Sequence, residues 1–267
     1  MSAAAAPPTA APPPRVRLCG VVFDALTERA AIEHVVAASA RGEGGWIVNP
    51  NLDGLRQWTA DTAVAELCAA ATLVLADGMP LIWASRLQRT PLPERVAGSN
   101  LIFSLSAAAA RSGRSIFLLG GDPGTAEETA RILRQRDPGL VVSGTHCPPH
   151  GFERDELELK RIRDLLAAAR PDIVYVALGL PKQERLIRDL RALLPQAWWL
   201  GLGISFSFVC GRVKRAPRWM QRCGLEWLHR LIQEPGRLGK RYLLQGAPFA
   251  VRLFVSSLRE RARSMGT

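Results

Sequence analysis

No apolar run among these 267 residues reaches the roughly 20 positions that a bilayer-spanning helix needs, so the sequence offers no spanning segment. Low-complexity sequence is confined to the first fourteen residues, MSAAAAPPTAAPPP. With 48% hydrophobic and 22% charged residues, disorder is not the expectation for the remainder. The opening segment has no basic n-region and no unbroken apolar stretch, so it reads as a disordered tail and not as a signal peptide, and the protein is expected in the cytoplasm. The five cysteines, Cys19, Cys68, Cys147, Cys210 and Cys223, are odd in number and lack paired spacing, as buried thiols of a reducing compartment do. His146, Cys147 and His150 cluster in a proline-rich loop but lack a fourth ligand, so no metal is expected there. Also missing is G-x-G-x-x-G followed about twenty residues on by an acidic residue, which a nicotinamide-dependent dehydrogenase would show.

What is present in excess is positive charge, a net +11, and it is unevenly placed. Residues 211–267 hold 13 Lys or Arg against Glu226, Glu234 and Glu260, a net of +10, which leaves +1 for the first 210 residues. A basic segment on a nearly neutral body suits an anionic surface, either a membrane leaflet or a polyphosphate substrate.

Short apolar runs alternate with helical patterns through most of the chain. Residues 46–48, 73–75, 116–119, 140–142, 173–177 and 198–200 read as buried strands bounded by turn residues. Residues 27–40, 79–88, 100–111, 126–136, 155–169 and 182–193 read as helices between them. This βαβ repeat predicts an α/β, Rossmann-like fold with a mostly parallel sheet flanked by helices, occupying residues 15–211 after a tail at 1–14. Ligands of such folds bind at the carboxyl ends of the strands, so the residues that follow each strand deserve the closest reading.

After the strand at 46–48 come Asn49, Pro50 and Asn51, whose amides either face a ligand or cap the next helix as an Asx turn. After 73–75 comes Asp77 with Gly78, a carboxylate able to take a proton from an attacking hydroxyl, or else a helix N-cap. Gly120 and Gly121 begin a Gly-Gly-Asp-Pro-Gly turn into a helix, a plausible phosphate cradle that a ligand-free βα turn would equally explain. After 173–177, Lys182 and Gln183 project at the strand mouth, as a cation and a two-way hydrogen bonder, or merely as a solvated first turn. Glu184 serves the helix dipole.

In the C-terminal segment, a helix over residues 216–233 places Arg218, Arg222, Glu226, His229 and Gln233 on one face, which reads as an amphipathic helix or else as an ordinary surface helix with Arg222 and Glu226 as an i,i+4 pair. Met220, Cys223, Leu225, Trp227, Leu228, Leu231 and Ile232 cover the other. Arg230, Arg237, Lys240 and Arg241 recur around a Glu-Pro-Gly break, and residues 247–258 are apolar apart from Arg252. Such a segment, 212–267, is expected to lie on an anionic membrane and to bind a diphosphate. A nucleic-acid-binding module would interleave basic residues with exposed aromatics, whereas Trp227 falls on the apolar face, so no nucleic-acid partner is expected.

Taken together, ADGMPLIWASR, ERVAGSNL, IFLLGGDPGTAEE, GTHCPPHGF, PDIVYVALGLPKQE and RAPRWMQRCGLEWLHRLIQEPGRLGKRYL resemble, in order, the WecG/TagA/CpsF glycosyltransferases over most of residues 45–245. The resemblance implies transfer of N-acetylmannosamine, its uronic acid or a related hexose from a UDP-sugar to an undecaprenyl-diphosphate-linked acceptor, for teichoic acids, common antigen or exopolysaccharide. It implies Asp77 as catalytic base, with Asn51, Arg95 and Gln183 lining the pocket. Arg230, Arg237 and Lys240 would belong to a basic appendage that contacts the diphosphate. Two positions depart from the family pattern: Asn49 stands where some members have threonine, and Ser207 replaces a common aspartate, so the sugar stays unassigned. The sequence has no D-x-D motif, so basic side chains and helix N-termini are expected to neutralise the leaving UDP without a metal. The enzyme is then expected at the inner face of the cell membrane as a peripheral protein, an arrangement that also admits a homo-oligomer.

Overall fold

The computed structural model describes residues 13–265; the expected tail therefore lies, apart from Pro13 and Pro14, outside the described residues. The chain opens with a hairpin, β1 (Arg15–Leu18) and β2 (Val21–Asp24), then runs α1 (Glu28–Ala40), β3 (Gly45–Val48), α2 (Leu52–Ala60), α3 (Thr62–Ala69) and β4 (Leu73–Val74). It continues through α4 (Met79–Leu87), α5 (Gly98–Arg111), β5 (Ser115–Gly120), α6 (Thr125–Arg136) and β6 (Val141–His146). Next come α7 (Glu156–Ala169), β7 (Ile173–Ala177), α8 (Lys182–Leu190), β8 (Trp198–Gly201) and the short α9 (Ser205–Val209). The basic segment forms α10 (Arg218–Arg222), α11 (Glu226–Gln233), α12 (Pro235–Gly239), a π-helical turn (Lys240–Gly246) and α13 (Ala247–Met265).

Six strands form one sheet in the order β4-β3-β8-β7-β5-β6, and every pairing is parallel. The central strands bury both faces, and the alternation shows which layer each residue serves. Ile116, Leu118, Ile173, Tyr175, Trp198 and Leu200 pack against α1, α5 and α6. Phe117, Leu119, Val174, Val176 and Trp199 pack against α3, α7 and α8. Period-2 runs apolar on both faces are what a sheet covered by helices on both sides requires. The edge at β4 is closed by the hairpin, since the buried Asp24 carboxylate accepts the Val74 N–H at 2.8 Å.

The sequence pattern missed the hairpin and the pair α2–α3. Four-residue strands with one open face carry little periodic signal, and their turn depends on Cys19 and Gly20 at positive φ. The expected single helix over residues 216–233 is broken instead, because Gly224 adopts φ 72° and lies so close to α4 that a Cβ there would fall 2.7 Å from Met79 Cβ. The last strand before α7 also runs on to His146, four residues beyond its expected end.

The basic segment, expected as an appendage to a core ending at residue 211, supplies buried side chains of its own. Phe249 and Leu253 of α13 join Val16, Leu18, Leu55 and Leu81 in a third apolar cluster. Leu253→Ala should therefore destabilise the protein by about 2–4 kcal/mol through a lost contact and a residual cavity. Urea unfolding measures this, and a change below about 1 kcal/mol would show that α13 is peripheral to the fold.

Candidate active site

The loops at the carboxyl ends of β3, β4, β5, β7 and β8 converge on a cavity of about 1600 Å³, roofed by α11 and the π-helical turn. Its lining includes Asn49, Asn51, Asp77, Arg95, Gly121, Lys182, Gln183, Arg230 and Arg241. Gly120 and Lys240 do not line it, and the Arg237 side chain is outside the described residues.

Asp77 stands between β4 and α4, where Gly78 turns the chain at a φ of 153° that favours glycine. Desolvation raises its carboxyl from 3.8 to about 6; the Arg95 cation opposes this, the Glu226 carboxylate adds to it, and the Gly98 N–H and Arg215 pull it back. Gly98 is the first residue of α5, so the positive end of that helix faces Asp77. The result is a carboxylate that is ionised at neutral pH yet far more basic than a solvated one.

The residues around it are held by protein contacts that the sequence left open. With its amide oriented to satisfy both neighbours, Asn49 donates to Gly201 O and accepts from Gly98 N–H, each at 3.0 Å, and so ties β3 to β8 and α5. Asn51 is the N-cap of α2, accepting from Gly54 N–H at 3.0 Å, and among the described residues its NH₂ group has no partner. Gly121 gives its N–H to Ala177 O at 2.7 Å, and a Cβ there would come within 2.3 Å of Thr125 Oγ1. Close packing explains this glycine at φ 83° without any phosphate. Gln183 is buried and its oxygen accepts from Gly179 N–H (3.1 Å) and Gly203 N–H (3.0 Å). Its Nε2 donates to Glu184 Oε1 at 2.9 Å, so the amide braces the loops after β7 and β8.

The roof is latched twice. Glu226 accepts from Arg95 Nη1 at 2.8 Å and from Arg215 Nε at 3.3 Å, and not from Arg222 as an ordinary surface helix would have it. Arg241 donates to Asp53 Oδ2 at 2.7 Å. Lys182 pairs with Glu153. Among the described residues that line the cavity, Arg230 is the arginine or lysine with no carboxylate partner; its Nε is buried and unbonded, and its guanidinium lies 5.7 Å from the Phe208 ring centre. Trp227, expected on a buried face, is exposed and meets the Tyr242 ring edge-on at 6.4 Å.

The family model for the glycosyl transferase WecG/TagA/CpsF family matches residues 16–263. The chain belongs to this family. One relative is the N-acetylglucosaminyldiphosphoundecaprenol N-acetyl-beta-D-mannosaminyltransferase of Bacillus spizizenii, 34% identical over 197 residues that make up 74% of each chain. The protein of the same name from Bacillus subtilis is 36% identical over 173 residues, covering 64% of this chain and 65% of that one. The protein is thus a WecG/TagA/CpsF glycosyltransferase, built on the parallel sheet that its sequence implies.

For a WecG/TagA/CpsF glycosyltransferase, four residues of this cavity went unnoticed as site residues in the sequence. Asp53 and Glu226 act across 188 and 131 positions of chain, distances over which no local spacing is informative. Asp122 accepts from the buried Ser207 hydroxyl at 3.1 Å, so the serine at the departing position is bonded to a carboxylate from the glycine-rich turn. Glu184, expected to serve the helix dipole, is buried instead. His146 and Cys147 are engaged by Glu158 and Gly121 O, and among the described residues no group of three or more His, Cys, Asp or Glu is arranged to hold a metal.

Proposed function

We propose that this glycosyltransferase moves N-acetylmannosamine, or a closely related hexose, from a UDP-sugar to a sugar carried on undecaprenyl diphosphate, with inversion at the anomeric carbon. The observation that carries the proposal is Asp77: a desolvated carboxylate at a strand end, opening on a cavity large enough for two substrates. Asp77 takes the proton of the acceptor hydroxyl as that oxygen attacks the anomeric carbon. Departing UDP gains negative charge, and Arg230, which has no carboxylate partner among the described residues, is the group available to meet it. Arg241, which lines the cavity, would exchange Asp53 for phosphate. No metal takes part in this scheme. The names of the two Bacillus relatives support the sugar and the lipid carrier.

Among the described residues no helix is long and apolar enough to cross a membrane. Leu243, Leu244, Val251, Val255 and Leu258 are nevertheless exposed on the basic C-terminal helices, which supports docking on the anionic inner face of the cell membrane.

A panel of UDP-sugars with a synthetic lipid-diphosphate acceptor, read by mass spectrometry with EDTA present, tests the reaction. A product heavier by one N-acetylhexosamine is expected, and no product from any UDP-sugar would end the proposal. The full-length chain should also pellet with anionic vesicles at low salt and leave them at high salt, whereas Leu243→Ser with Leu244→Ser should stay in the supernatant. Equal pelleting of both proteins would remove the docking surface from these residues.

A further inference from the structure

Glu184 is a buried carboxyl that the proposed reaction does not use. It is 3% exposed and lines the cavity; Oε1 accepts from Gln183 Nε2 at 2.9 Å, while Oε2 is buried with no partner among the described residues. Buried polar atoms without partners are rare in folded proteins, and one carried by a residue of the cavity lining is a candidate for a ligand atom once the side chain turns toward the cavity. Desolvation raises this carboxyl to about 7, against the hydrogen bonds from Gln183 and from the backbone. No cation is among the groups acting on it. With the carboxyl raised to about 7, its protonated form is populated at neutral pH, and that form is a donor that needs an acceptor.

Beyond Gln183, apolar side chains make up part of the lining that Glu184 shares. Val48 and Cys68 belong to the second core cluster, and Trp58, Leu178 and Leu180 pack against it; all five line the same cavity. Cys68 is near enough that Glu184 helps to raise its thiol. One hydrogen-bond donor among apolar surfaces is complementary to a group with one carbonyl and one methyl. A hydroxyl would leave the apolar surface unused, and a carboxylate would be repelled if Glu184 ionised.

We propose that Glu184 Oε2 donates a hydrogen bond to the carbonyl of the 2-acetamido group on the donor sugar, whose methyl rests against Trp58 and Leu180. This inference rests on the proposed UDP-N-acetylhexosamine donor and deepens it by naming the residue that selects for the acetamido group. Glu184 is thereby a specificity-determining residue, distinct from Gln183, which braces the loops.

Isothermal titration of the full-length protein with UDP, UDP-mannose and UDP-N-acetylmannosamine tests it, in wild type, Glu184→Gln and Glu184→Met. Wild type should prefer the acetamido sugar over UDP-mannose by about tenfold, the size of one hydrogen bond. Glu184→Gln keeps an acceptor toward Gln183 and a donor toward the sugar, so it should retain the preference. Glu184→Met fills the space without a donor and should bind both sugars equally, with UDP affinity unchanged. The inference is overturned if Glu184→Met keeps the tenfold preference, or if it weakens UDP and both sugars alike, which would make Glu184 a brace only. Wild type that binds none of the three ligands would remove the donor assignment itself, and the inference with it.

Discussion

Asp77→Asn should lower turnover by roughly two to four orders of magnitude while making the folded protein more stable at neutral pH. The two effects have one cause. The carboxyl titrates at 3.8 when solvated and at about 6 in the folded chain, because the cavity wall strips it of water more than Arg95 and the Gly98 N–H compensate. Below about pH 3.8 it is protonated in both folded and unfolded chains, and the substitution leaves stability unchanged. As pH rises toward 6 the unfolded chain ionises first, so wild type loses stability, and above 6 that loss is complete. The asparagine variant carries no such penalty, so its advantage should grow through that window to about 1–3 kcal/mol, allowing for the water that reaches Asp77 through the cavity. Wild-type kcat/KM should fall as pH drops through about 6, since the base must be ionised to act. Turnover comes from the donor and lipid-acceptor assay, and stability from urea unfolding at pH 4 and 7.5. Near-normal turnover in the variant, or an equal stability difference at both pH values, would remove Asp77 from this role.

The same cavity shows which parts of a site a sequence discloses. The strands at 173–177 and 198–200 were legible because they are apolar on both faces, and the strand ends then located Asn49, Asp77 and Gln183 at the cavity. Their partners were not legible. Whether an asparagine after a strand meets ligand or backbone depends on where another strand ends, and for Asn49 the partners are Gly201 O and Gly98 N–H. Gln183 likewise spends its amide on Gly179, Gly203 and Glu184, so its place on the cavity wall came from the motif and its bracing work from the fold. The C-terminal segment was the hardest to read. Its helical period ran through residue 224, and only the contact of that glycine with Met79 and Trp83 broke the helix and turned Glu226 toward Arg95.

That turn makes Glu226 the second residue whose loss should be severe. Its two oxygens hold Arg95 from the core and Arg215 from the segment that leads into the roof, all three side chains less than a quarter exposed. Arg215 passes the connection on to Asn100 Oδ1 at 2.7 Å on α5. Glu226→Ala leaves two largely buried guanidinium groups without the carboxylate that bonds both, a loss of about 2–4 kcal/mol that falls mainly on the roof. Because Arg241–Asp53 is then the remaining latch of the two described, residues 212–246 should exchange amide hydrogens much faster while the sheet keeps its protection. Turnover should drop at least about a hundredfold, since Arg230 is carried by the same helix and would no longer face the leaving diphosphate. Removing the Glu226 charge also takes away one of the influences that raise Asp77, so the residual activity should reach half its plateau at a lower pH than in wild type. Glu226→Gln, which keeps one acceptor oxygen, should lie between the two. A variant with normal turnover, normal exchange over 212–246 and an unmoved pH profile would show that the roof is held by something other than this carboxylate.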